Sequence, residues 1–241
     1  MTSRIQRARG ALALFRLAAL SIVGHRFWLL PLLPLLWLGV LAGMTAIGMR
    51  AGSFDPMDAQ GGLIGLPLTV FGVFLGLRII AGEIDGRSLE IAYTVPGGCE
   101  RVWWAKLAGA VMMLLVAEAL LAVPTWIFFT GPFPLHVLYG ALQPAVFYMV
   151  LAMAMATLFR SEVAGAMATV ALLGFNGLIS GFGDQQVRVS PFFNPLAATS
   201  SDPADILAWT VQNRIGVALV TTGILALAFM RANRRERMLA G

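Results

Sequence analysis

Residues 107–159 read LAGAVMMLLVAEALLAVPTWIFFTGPFPLHVLYGALQPAVFYMVLAMAMATLF, and Glu118 is the one Asp, Glu, Lys or Arg among them. Crossing a bilayer once takes about 20 apolar residues of helix. This stretch is too long for one crossing, and Gly131-Pro132-Phe133-Pro134 divides it. Neither half alternates between apolar and polar residues, as a membrane barrel strand must. A helix satisfies its own backbone hydrogen bonds, which lipid cannot do for it. The stretch therefore predicts two membrane-spanning helices, at 105–129 and 136–159, joined by a short turn.

Four more charge-free stretches flank this pair: Phe27–Met49 and Ala59–Leu77 before it, Val163–Gly183 and Ile215–Met230 after it. They predict spans at 27–49, 60–81, 163–183 and 209–230. The last is short and borrows Trp209–Arg214, with Arg214 snorkelling outward. Pro31 and Pro34, in the first turns of the first span, and Pro124, late in the third, each remove a donor and kink or fray a helix. The expected fold is all-α and polytopic, with six transmembrane helices in a single transmembrane domain over 1–241.

Composition agrees. The chain is 59% hydrophobic and 12% charged, with mean hydropathy +0.81, whereas a soluble domain carries about 25% charged residues. A soluble enzyme, a disordered chain and a disulfide-stapled secreted domain are excluded. Cys99 is the single cysteine, so no internal disulfide exists. The pI of 10.3 reflects arginines that read as topology signals, and no nucleic-acid partner is expected. With cytoplasmic termini, 14 of the 17 basic residues lie inside, leaving Arg50, Arg188 and Arg214 outside. That bias predicts a bacterial inner-membrane, multi-pass protein with both termini cytoplasmic. The first apolar stretch is too long for a cleaved signal peptide, so the first span is read as retained.

Three segments outside the spans carry further signals. Over 3–25, Ile5, Ala8, Leu12, Phe15, Ala19 and Ile22 form one stripe flanked by Arg9 and Arg16, which predicts a helix lying at the membrane surface. The loop 82–104 is dense in charge: Glu83, Asp85, Arg87, Glu90, Glu100 and Arg101. Asp85 or Ser88 can cap a short helix there, which Pro96-Gly97-Gly98 stops. Such a helix, joined directly to two spans, is a handle for a cytoplasmic partner. The outer segment 184–208 mixes Pro191, Pro195 and Pro203 with Phe192 and Phe193, which predicts a partly buried, re-entrant element.

Taken together, these features resemble the ABC type-2 exporter permease family, the membrane subunit of a two-component ABC transporter. That family has six spans, cytoplasmic termini, an amphipathic helix before span one, a coupling helix between spans two and three, and a re-entrant hairpin before span six. Its loop pattern is an acidic residue, a Gly-Ser/Thr-Leu-Glu run, a Pro and a Lys opening span three. Glu83, Gly86, Ser88, Leu89, Glu90, Pro96 and Lys106 look like those positions, with Arg87 inserted after Gly86. Asn194, Pro195 and Leu196 look like the Asn-Pro-Leu before its last span. The likeness covers nearly the whole chain as topology and about 30 residues as motif. It implies ATPase-coupling roles for Glu83, Asp85, Gly86, Arg87, Leu89, Glu90 and Pro96.

The resemblance also implies partners. Lys106, the sole lysine, sits in VWWAKLAG, which lacks the pattern of a phosphate-cradling loop. The chain is therefore expected to bind no cofactor and to be no enzyme itself. ATP and Mg would sit on two copies of a separate cytoplasmic ABC ATPase subunit, and a second permease copy, most simply as a homodimer, would complete the path among membrane lipids. Export is the direction the resemblance implies. An apolar path favours lipid-like, amphipathic or aromatic cargo over ions or sugars.

Within the spans, Glu118 admits two readings: a polar point on the path or dimer interface, or a glutamate packed against another helix. Gln143 and Asn176 suit interhelical hydrogen bonds, and Asn176 is also a candidate for the path or interface. Met153, with Met149 and Met155, is either an adaptable path lining or helix packing. Gly174, Gly177 and Gly181 permit close helix contact. His25 and His136 lack the neighbours of a metal site. The rival classes are an intramembrane enzyme and a non-transporting membrane scaffold. A rhomboid-like protease would need Gly-x-Ser-Gly and a later histidine, but Gly177-Leu178-Ile179-Ser180-Gly181 has one residue too many and both histidines precede it.

Overall fold

The computed structural model describes residues 27–49, 54–85, 99–181, 188–198 and 202–233. Among them there is no strand, and six helices are long and apolar enough to cross a membrane: α1 (Leu29–Ala46), α2 (Pro56–Ile84), α3 (Cys99–Thr130), α4 (His136–Phe159), α5 (Glu162–Ile179) and α6 (Pro203–Ala232). The described residues form the expected all-α architecture with six such helices. The stripe at 3–25 and residues 86–98 of the charged loop lie outside the described residues.

Where helices depart from regularity, prolines and glycines account for it. Phe27–Leu32, containing Pro31, is a 3-10 turn that leads into the regular helix Leu35–Ala46. Pro124 is followed by a π turn over Thr125–Thr130, which ends at Gly131 with φ 67°. The start of α2 behaves similarly. A capped turn at Pro56–Asp58, held by the Asp55 N–H donating to Asp58 Oδ2 at 2.9 Å, passes through a π turn at Ala59–Leu63 before regular helix begins at Gly65. Gly61-Gly62 and Pro67 weaken the helical ladder there. Arg160 adopts a left-handed conformation (φ 55°) and turns α4 sharply into α5.

The core is the contact between α2 and α4. Leu68, Leu75, Ile79 and Ile80 of α2 and Ala145, Met149 and Met153 of α4 are buried. Two glycines set how close the backbones come. A Cβ on Gly72 would stand 2.5 Å from the Ala145 carbonyl oxygen, and one on Gly76 would stand 2.0 Å from that of Met149. Gly72-Val73-Phe74-Leu75-Gly76 is thus a working small-xxx-small contact, driven by backbone packing where lipid supplies no hydrophobic force between helices. By contrast, Gly174 and Gly177 of α5 face open space, with no atom within 4 Å of a built Cβ. Their smallness serves no packing within the described chain. Only 11% of the apolar window of α5 is buried, against 72% of that of α2.

Candidate functional site

Successive spans run in opposite directions, so the bundle has two ends. One collects the end of α2, the start of α3, the α4–α5 turn and the end of α6. The charged side chains that make ion pairs meet there. Lys106 Nζ lies 2.7 Å from Glu83 Oε1, with both side chains nearly enclosed. Trp103 Nε1 donates to Glu83 Oε2 at 3.0 Å. Lys106 and Trp103 share one face of α3 at helical spacing. They reach across to the last turn of α2, so the two helices flanking residues 86–98 are fastened together just outside that segment. Each charge has a partner and the carboxylate accepts a second donor, which offsets the cost of enclosing the two groups.

Further contacts tie in the remaining spans. Arg78 Nε of α2 lies 3.4 Å from Glu162 Oε2 at the start of α5. Asn233, just past α6, donates to Glu100 at the start of α3 and accepts from Cys99 Sγ at 3.5 Å. Arg231 Nη2 donates to the Leu158 carbonyl at 3.2 Å. Phe229 meets Trp104 edge-on, with centroids 5.0 Å apart.

At the opposite end the polar network is built from amides. Gln143 Nε2 of α4 donates to Asn213 Oδ1 of α6 at 3.0 Å, the interhelical bond expected of Gln143. Asn213 Nδ2 in turn donates to the carbonyls of Arg188 (2.7 Å) and Ser190 (2.8 Å). Gln60 Nε2 donates to the Phe193 carbonyl at 2.9 Å, and Asn194 Nδ2 to that of Met57 at 3.0 Å. Gly140 makes room for Gln60, whose Cδ would stand 2.4 Å from a Cβ there. The described part of 184–208 is therefore partly buried, with Ser190, Phe193 and Asn194 enclosed. Residues 188–198 form an irregular segment with one 3-10 turn, Pro195–Ala197. Residues expected to close the re-entrant segment are instead the first turns of α6, which starts at Pro203 because the Asp202 side chain accepts the Ala204 N–H at 2.9 Å.

The residues singled out from the sequence divide as follows. Glu83 is part of the buried clamp, and Asp85, just past Ile84, ends the regular helix Gly65–Asp85. Gly86, Arg87, Leu89, Glu90 and Pro96 lie outside the described residues. Glu118 faces protein, 7% exposed, and its Oε1 has no hydrogen-bond partner among the described residues. Met153 is fully enclosed in the α2–α4 core, which is the packing arrangement. Asn176 is half-buried on α5. Sequence reasoning placed Glu83 in the loop and Lys106 at the start of span three without pairing them. Opposite charges just inside the two ends of a loop were the available signal. No three His, Cys, Asp or Glu among the described residues gather as a metal site would require.

Fold and surface together define an all-helical, multi-pass membrane protein with charge pairs at one end and amides at the other. No model of a known protein family matches the chain, nor does any curated protein or any solved structure.

Proposed function

We propose that this chain is the permease subunit of an ATP-driven ABC exporter, forming the substrate path across a bacterial inner membrane and coupled to a separate ATPase. In this reading the charge-paired end, with both termini, faces the cytoplasm, as the arginine distribution favours. The segment between α2 and α3 serves as the coupling element, and residues 188–198 dip into the opposite face. Two permease copies enclose the path, and two ATPase copies bind ATP and Mg.

One observation carries the proposal: the Glu83–Lys106–Trp103 clamp brackets the segment that holds the Gly-Arg-Ser-Leu-Glu run. A push on a free loop would be absorbed by the loop. A push on a segment whose two flanking helices are bolted together moves both as one body, and the Arg78–Glu162 and Asn233–Glu100 contacts pass that motion on to α5 and α6. Closure of the ATPase dimer would thus rock α2 and α3 and switch the path from inward- to outward-facing, by rigid-body transmission. Deleting residues 86–92 tests this. The expected result is a chain that still inserts in the membrane but no longer copurifies with its ATPase; retained copurification contradicts the proposal.

A further inference from the structure

Beside the amide network, an apolar cleft of about 280 Å³ opens between α4, α6 and residues 188–191. Its floor is Phe147, Val217 and Val220, and its mouth at the end of the bundle is Arg188 stacked on Trp209, the guanidinium carbon 3.4 Å from the ring centroid. We propose that this cleft binds an anionic phospholipid of the surrounding bilayer, its phosphate on Arg188 and one acyl chain along α6.

Three observations select that occupant. First, the mouth is cationic. Neither Arg188 nor Arg214 is ion-paired among the described residues, whose ion pairs all lie at the other end. Arg214 is held by Gln143 Oε1 at 2.5 Å and by the Tyr139 ring, and it adds its charge next to Asn213. The carboxylate of Asp202 caps α6, and Asp205 makes no ion pair with Arg188 among the described residues. Second, the length fits. From Trp209 to Val220 the helix rises about 16 Å, and one leaflet's hydrocarbon is about 15 Å deep, half the bilayer core. An indole at the headgroup level with valines below it follows the polarity profile of a single lipid. Third, the cleft is open sideways to the bilayer: Val220 is 53% exposed, and only 22% of the apolar window of α6 is buried. A soluble anion would leave the valine floor uncovered, and a neutral lipid would leave the guanidinium without a counter-charge.

The inference stands on the spans and the cleft and needs no ATPase, so it is tested on the purified full chain alone. Native mass spectrometry counts dioleoylphosphatidylglycerol molecules retained per chain. Arg188→Gln removes the charge at an exposed position. Gly216→Phe puts a ring into the cleft lining from a site where a Cβ meets no atom within 4 Å. Each variant is expected to retain one phosphatidylglycerol fewer than the parent, and the double variant no fewer than either single. Dioleoylphosphatidylcholine should show no such difference between parent and Arg188→Gln. An unchanged count in either single variant overturns the proposal. So does a double variant that loses two lipids, or displacement of the lipid by equimolar glycerol phosphate, which would make the site one for a free phosphate.

Discussion

The two ends of the bundle are fastened by different chemistry. At one end formal charges join helix to helix: Glu83 to Lys106 and Arg78 to Glu162. At the other, neutral side-chain amides join helices to carbonyls of the irregular segment 188–198. The difference follows from what each has to hold. An irregular backbone leaves carbonyls without helical partners, and side-chain amides can satisfy them. Two regular helices have satisfied backbones already, so fixing one to the other falls to side chains. A buried ion pair does so in one geometry, since moving either helix would strand a charge. The amide end fixes a shape. The charged end fixes one helix against another.

This contrast can be broken most forcefully at Lys106. Lys106→Met leaves Glu83 buried without its cation, and we expect a loss of about 3–5 kcal/mol in equilibrium unfolding in mixed micelles. Adding Glu83→Gln should restore most of it, because the glutamine still accepts from Trp103 and carries no charge; a double variant as unstable as the single would deny that an unpaired charge is the cause. At the amide end, Asn213→Leu strips the Arg188 and Ser190 carbonyls of their donor and Gln143 of its acceptor. The expected cost in the same assay is about 1–3 kcal/mol. Protease cleavage confined to the 188–198 region should rise with it, while Lys106→Met leaves that region protected. The smallest effect belongs to Arg78→Gln. Its ion pair with Glu162 is 45% exposed on the arginine side, so the change should cost under about 1 kcal/mol. A larger loss would place that pair among the main fastenings.

Much of this was legible beforehand. Charge-free runs locate all six helices because lipid allows no other way to hide so many apolar residues, and Gln143 was a foreseeable interhelical donor. Boundaries shifted where a cap outweighed hydropathy: Asp202 starts α6 six residues before Trp209, where the expected span began. Glycines proved harder to rank. Gly72 and Gly76 pack backbone to backbone while Gly174 and Gly177 face outward, and spacing alone does not say which helix face meets a neighbour. The Glu83–Lys106 pair escaped for a related reason. Each residue fits the ends of a solvated loop, and only the approach of α2 to α3 turns them into a buried contact. The amide network joins α2, α4 and α6 through residues distant in sequence, a pattern without local signature.

The proposed exporter function requires the segment between α2 and α3 to meet the cytoplasm, where an ATPase would push it. Native Cys99 is a poor reporter because it is buried. Ser88→Cys in a Cys99→Ser background places a thiol in the segment itself. A membrane-impermeant maleimide should label it in inverted membrane vesicles and not in intact cells; labelling in intact cells would put the segment on the far side of the membrane and contradict the account.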